Sequence, residues 1–193
     1  MTGVQTCALP ICQTDANSQN IVQGRIENDL NQTGKTQAAH CGLFLRDLRL
    51  PVDAVYSSPM SRARETAAII VSAMGSTLPV IIDENLTERH FGALDGHKID
   101  AGYLDLVERN AIPGGEKHED LEARVFGALA SICARHPDAS ILVVAHAHVI
   151  KSVLVRLVPG FRYTSLLANC SVNVLTCENG EYRVIHHNLD PLK

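Results

Sequence analysis

Arg62 is the second residue of SRARETAAIIVSAM, which follows the short apolar run VDAVYSSP. A helix opening there leaves backbone N–H groups free and turns its positive end toward whatever lies beyond the run. A guanidinium at that place can hold two oxygens of one anion, so the position suits phosphate. It equally suits a solvated arginine, and Arg64 reads as surface. His146 closes ASILVVAH, the most hydrophobic run in the chain. An imidazole where water access changes abruptly can move a proton or, when charged, neutralise phosphate. A buried histidine bonded to backbone is the plain alternative, and His148 reads as helix-start surface. Glu88 lies in LTERHFGALDG. A carboxyl in a partly closed pocket retains its proton and can give it to a leaving oxygen, although most loop glutamates are simply solvated. Gly24-Arg25, in a polar stretch, can bring backbone and guanidinium close to a ligand.

These residues need elements to position them. TGKTQAAHCGLFLRDLRL, from Thr33 until Pro51, has a helical apolar face, and 52–58 reads as a short strand. Residues 61–74 are helical, 78–82 strand, 83–99 a functional loop, and 100–110 a short helix. Leu121, Val125, Ala128, Leu129 and Ile132 mark a helix over about 117–135. Residues 140–145 form a continuous apolar strand of the kind covered on both faces. VIKSVLVRLV follows as a helix, and SVNVLTC and YRVIHH make a hairpin around Glu178-Asn179-Gly180. Residues 13–32 read as a long loop. Strands alternating with helices predict a three-layer α/β/α sandwich with a mixed, mostly parallel central sheet. Ligands in such folds sit beyond the carboxyl ends of strands, which directs attention to Ser57-Ser58 and His146.

Length and composition narrow the class. The chain has 193 residues, 46% hydrophobic and 20% charged, which fits one globular domain. The formal net charge is −4 and neither sign forms a block, so no footprint for nucleic acid is present. No run of 18 apolar residues is found, which predicts no membrane span and a cytoplasmic protein. Six cysteines without a CxxC pair predict reduced, mostly buried thiols. Gly34-Lys35-Thr36 ends like a P-loop, but the required first glycine is Asp29. His146-x-His148, with His186, His187, Asp83 or Asp95, holds enough ligands for zinc, yet HxH is a common accident among nine histidines.

From Gln13 onward the chain resembles the histidine phosphatase superfamily, the phosphoglycerate-mutase-like group. QTDANSQNIVQGRIENDLNQTGKTQA is similar to the family's opening segment after its catalytic Arg-His-Gly. SSPMSRARETA is similar to the phosphate-binding arginine segment, LTERHFGALDG to the acid-bearing loop, and PGGEKHEDLEARV to the lead into the next helix. VVAHAHVIK is similar to the second-histidine segment, with Ala147 where the family usually has glycine. The resemblance implies that Asn17 and Arg25 line a phosphate pocket, Arg62 grips phosphoryl oxygens, Glu88 donates the proton and His146 stabilises the transferring group. It also implies a phosphohistidine intermediate, a small phosphorylated metabolite as partner, no metal and no cofactor, with a homodimer compatible. Arg89, His90, Lys98 and Tyr103 are expected at the substrate-selecting rim. The segment between Gly96 and Leu121 is shorter than in mutases of the superfamily, which favours an open phosphatase. Compact relatives of this type include alpha-ribazole phosphatases, broad-specificity phosphatases and proteins labelled as probable mutases.

The departure lies at residues 10–12. The family's Arg-His-Gly should fall there, and the chain has Pro10-Ile11-Cys12. Ile11, at the nucleophile position, has no lone pair, and Pro10 cannot grip phosphate and is awkward in a central strand. MTGVQTCALPI reads as translated sequencing-adapter sequence, which makes 1–12 an aberrant segment and 13–193 the single native domain. The expectation is a phosphomonoesterase whose present chain lacks its nucleophile. The alternatives are mutase-type transfer, a phosphate-ester-binding pseudoenzyme, and a zinc hydrolase.

Overall fold

A computed structural model describes residues 3–192. Its strands are β1 (Val4–Pro10), β2 (Ala54–Ser57), β3 (Val80–Ile82), β4 (Ser140–Ala145), β5 (Val172–Glu178) and β6 (Glu181–Leu189). Its helices are α1 (Asp15–Ser18), α2 (Gln32–Asp47), α3 (Ser61–Ala73), α4 (Ala101–Glu108), α5 (His118–Arg135) and α6 (Ala147–Leu157). Six strands form one sheet in the order β3-β2-β4-β1-β5-β6. The first four in that order run parallel, while β5 is antiparallel to β1 and β6 to β5. The sheet is mixed and mostly parallel, as the alternation of strands and helices predicts.

The period of two along each strand splits the core into two layers. Ala8, Tyr56, Ile141, Val143 and Leu175 face one way, toward Leu121, Val125, Leu129, Val149 and Val153 of α5 and α6. Leu9, Val55, Leu142, Val144 and Val174 face the other way, toward Ala38, Cys41, Leu45, Ala63, Ala67 and Ile70 of α2 and α3. A continuous apolar run such as β4 needs both layers, because each face buries every second residue. The result is an α/β/α sandwich.

Three local features go beyond the sequence reading. Residues 13–32 are not all loop. Thr14 caps α1, its hydroxyl accepting from the Asn17 amide while Asn17 Oδ1 accepts from the Thr14 amide. A reciprocal cap of this kind supports a single turn that carries no apolar periodicity to read. The segment 1–12, read above as aberrant, supplies a central strand: Val4–Pro10 pairs with β4 on one side and β5 on the other. Pro10 costs little there. The amides of Gln5 and Ile11 donate toward β4, so the amide of an even-numbered residue points toward β5. The β1–β5 ladder ends at Ala8 and Asn173, and no ladder bond awaits the missing N–H of Pro10. Finally, Cys12 and Cys170 are joined in a disulfide rather than reduced, 158 residues apart in sequence. The end of β1 and the turn before β5 meet there, with Cys170 N–H donating to the Ile11 carbonyl at 3.2 Å, and no local spacing announces that meeting.

Candidate active site

The carboxyl ends of β1, β2 and β4 open on one cleft of about 90 Å³. Ile11, Asn17, Gly24, Arg62, Glu88, Tyr103, His146 and His148 are among its lining residues. Residues from distant parts of the sequence thus share one surface. Ser58 follows β2, and Met60 takes the N-cap position of α3, which places Arg62 in the first turn of that helix. His146 occupies the N-cap of α6 directly after β4. Both are 1% exposed.

Arg62 donates through Nη1 to the Ile26 carbonyl at 2.7 Å and through Nη2 to the Gly24 carbonyl at 2.8 Å. These bonds fix the guanidinium plane and leave Nε buried without a partner. Gly24 allows this approach, because its φ is +31° and a Cβ there would stand 1.9 Å from Asp95 Oδ1. His146 Nε2 bonds Ser58 Oγ at 2.8 Å, and its Nδ1 is buried without a partner. Buried polar atoms in native folds are nearly always satisfied, yet three residues lining this cleft carry a buried nitrogen without a partner: Arg62 Nε, His146 Nδ1 and His148 Nδ1.

Glu88 is held differently. Its Oε1 accepts from the Arg89 amide at 2.8 Å and its Oε2 from the His148 amide, at the start of α6, at 3.5 Å. Burial pushes its pKa above the usual carboxylate value, and the two amides, Arg62 and Arg124 oppose that only in part. Burial thus favours the protonated carboxyl more than water would, while the two amides favour the ionised one. Arg124 fixes the loop from below: it donates to Glu116 through Nε at 2.6 Å and through Nη2 at 3.0 Å, and to the Asn85 and Glu88 carbonyls.

Two expected ligands of the cleft lie elsewhere. Arg89 does not face the cleft: its guanidinium is fully buried, donates to the Glu116 carbonyl at 3.0 Å and Asn110 Oδ1 at 3.3 Å, and packs over Phe91 and Tyr163. Packing on Phe91 and Tyr163 takes Arg89 into the core while its neighbour Glu88 lines the cleft. Arg25 is exposed outside the cleft, with its Nη2 3.8 Å from Glu116 and Nε 3.5 Å from the Glu88 carbonyl. At the expected rim, Tyr103 lines the cleft, whereas His90 bonds the Gly114 carbonyl and Lys98 the Gln19 carbonyl.

His148 is buried rather than surface, with its Nε2 3.3 Å from the Tyr103 hydroxyl and its ring edge-on to Phe91. Ser58, Arg124 and Tyr103 complete the site. Ser58 had a signal in its strand-end position, while Arg124 sits on an ordinary amphipathic helix face. Among the described residues no group of three or more His, Cys, Asp or Glu could hold a metal ion, so the zinc constellation does not assemble. Asp83 instead caps the turn at Asn85, and His187 packs on Phe161.

The imidazoles make a prediction about stability. Burial first, then Arg62 and Arg124, holds His146 well below the ordinary histidine value of 6.5. Burial does the same for His148, and lowers His118 to about 4. The unfolded chain takes up these protons near 6.5 and the folded chain does not, so their contribution is full above that value and is lost as pH falls. Glu88 works in reverse, because its raised pKa favours the fold at low pH. Asp95, also raised by burial, acts with Glu88, and three imidazoles outweigh two carboxyls. Acidifying from about pH 7 to about pH 5 is therefore expected to lower the unfolding midpoint, and His148→Gln to flatten that slope. A midpoint that rises over this interval would contradict the assignment.

The sequence model of the histidine phosphatase superfamily (branch 1) matches residues 12–190. The chain belongs to that superfamily. Among similar histidine phosphatases, the uncharacterized phosphatase PhoE of Bacillus subtilis is 30% identical over 98% of this chain and 96% of its own. The metal-independent phosphoserine phosphatase of Arabidopsis thaliana is 34% identical over 84% of this chain and 72% of its own. Bacillus stearothermophilus YhfR superposes with a TM-score of 0.85 at 24% identity, covering 96% of this chain and 97% of that one. A mutant phosphoserine phosphatase from Entamoeba histolytica, in complex with phosphoserine, superposes with a TM-score of 0.84 at 20% identity over 98% and 100% of the two chains. At these identities the two solved structures speak for the fold. Among the described residues no helix is long and apolar enough to cross a membrane.

Proposed function

We propose that the cleft is the phosphoryl site of a phosphomonoesterase and that the chain as it stands binds phosphate esters without turning them over. One observation carries this reading: Arg62, Glu88 and His146, from α3, a loop and the start of α6, converge on one cleft, with Arg62 Nε and His146 Nδ1 left for an acceptor. In this reading Arg62 and His146 hold the non-bridging oxygens, and preorganised donors of this kind stabilise charge in phosphoryl transfer. An arriving dianion counters the burial that keeps His146 neutral, and the imidazole charges as the ester docks. Glu88 is placed to protonate the departing oxygen once a histidine stands at position 11, and burial, by raising its pKa, aids that role. Asn17, whose Oδ1 is engaged with Thr14, offers its remaining amide to the ligand. Ile11 occupies the nucleophile's place in the cleft and cannot form a phosphohistidine.

Hydrolysis fits better than transfer to a second substrate, because the segment after Gly96 adds only the eight-residue α4 over the cleft. A phosphoserine phosphatase holding phosphoserine has the same fold, which makes a small phosphorylated metabolite a fitting ligand here. The test is binding of vanadate and inorganic phosphate to the unaltered chain by titration calorimetry. Binding of one anion per chain is expected, weakened roughly 10- to 100-fold by Arg62→Ala, in line with the loss of charge-assisted hydrogen bonds. Because Arg62 also ties down Gly24 and Ile26, His146→Gln serves as the second variant. Affinity unchanged in both would overturn the proposal.

A further inference from the structure

The six cysteines fall into three settings. Cys12 and Cys170 are joined, and Cys7 and Cys41 are buried between the sheet and α2. Cys133 of α5, half-buried, Cys177 of β5 and Tyr182 of β6 lie side by side on one cavity wall, near enough for each to raise or lower the others' proton affinity. The two thiols line an open cavity of about 610 Å³ together with Val4, Pro137, Glu178 and Tyr182. This cavity lies where β1 and β4 begin, whereas the phosphoryl cleft lies where they end. Strands of this length separate the two by roughly 20 Å.

We propose that Cys133 and Cys177 form a chelating dithiol site for a soft, doubly thiophilic ligand of the trivalent arsenical class. Two thiols that line one cavity, carried on a packed helix and strand, lose little freedom when one atom bridges them. An organic arsenic(III) oxide fits the balance. Two As–S bonds form, both S–H bonds break, and the oxide oxygen leaves with the two protons as one water, with no change in oxidation state. Burial holds the Cys133 thiol up at about 11. A ligand that brings its own proton acceptor therefore suits the pair better than one requiring a preformed thiolate. Zinc fits less well, since among the described residues no third His, Cys, Asp or Glu joins the two thiols. Cys7 and Cys41 are both buried in the core.

Native mass spectrometry of the unaltered chain with phenylarsine oxide tests the site. One adduct per chain with loss of one water is expected, reversed by 2,3-dimercaptopropanol and not by an equivalent monothiol. Cys133→Ser and Cys177→Ser should each weaken binding about 100-fold, the gain that two linked contacts commonly give. Should a variant fail to fold, alkylation of the unaltered chain decides instead: after arsenical treatment and unfolding, Cys133 and Cys177 should be the pair whose protection from iodoacetamide depends on the arsenical, since Cys12 and Cys170 are blocked with or without it. An adduct that survives both substitutions, protection falling on Cys7 and Cys41, or no adduct on the folded chain would overturn the proposal.

Discussion

The combined change Pro10→Arg, Ile11→His and Cys12→Gly is expected to raise phosphomonoester hydrolysis by about 10⁴-fold or more, the scale lost when a covalent enzyme is deprived of its nucleophile. The other parts of the machinery are already placed. Arg62 is fixed by two carbonyls, Glu88 by two amides, and Ile11 lines the cleft beside them. An imidazole at position 11 would supply the lone pair that a sec-butyl side chain lacks. The repaired protein should also trap an acid-labile, base-stable phosphoryl label on quenching. A protein carrying Pro10→Arg and Cys12→Gly but keeping Ile11 should trap none. Equal hydrolytic rates for the unaltered and fully repaired chains would show that the cleft does not work through residue 11. Cys12→Gly also removes the bond to Cys170, so the two proteins need comparison below the lower of their melting temperatures.

In the repaired protein, Glu88→Gln should lower kcat by about 10²- to 10³-fold on an alkyl phosphate, the contribution expected of a positioned general acid. The same change should cost far less on p-nitrophenyl phosphate, whose leaving oxygen hardly needs a proton. The contrast matters more than either number, because a purely structural defect would slow both substrates alike. The pH profile adds a second readout. Burial raises the Glu88 pKa, so the acid form persists above the ordinary carboxylate range. Activity should then fall as pH rises through that value. The amide introduced by Glu88→Gln has no such proton to lose, so this limb should vanish from the variant's profile.

Much of this was legible before any coordinates. The continuous apolar run before His146 reads as a strand covered on both faces, and the helix-start position of Arg62 is written in the residues around it. Periodicity carries such facts because burial enforces it. The side to which a loop residue points is not carried in that way. Arg89 and Glu88 are neighbours in one charged loop, and only the packing of Phe91 and Tyr163 decides that one enters the core while the other faces the cleft. The burial of His148 likewise depends on Tyr103, 45 residues away, and the Cys12–Cys170 link on a meeting of two distant turns. Long-range partners leave no mark on local spacing.

His146 at the N-cap of α6 and the His148 amide on Glu88 are two residues apart on one rigid rod. In the proposed chemistry the first touches the oxygens that stay with phosphorus and the second steadies the acid that serves the oxygen that leaves. A displacement of α6 along its own axis therefore acts as a single lever on both ends of the breaking bond. Adjusting one end independently requires change in the loop around Glu88, which makes that loop, rather than the helix, the part of the molecule free to drift toward new substrates.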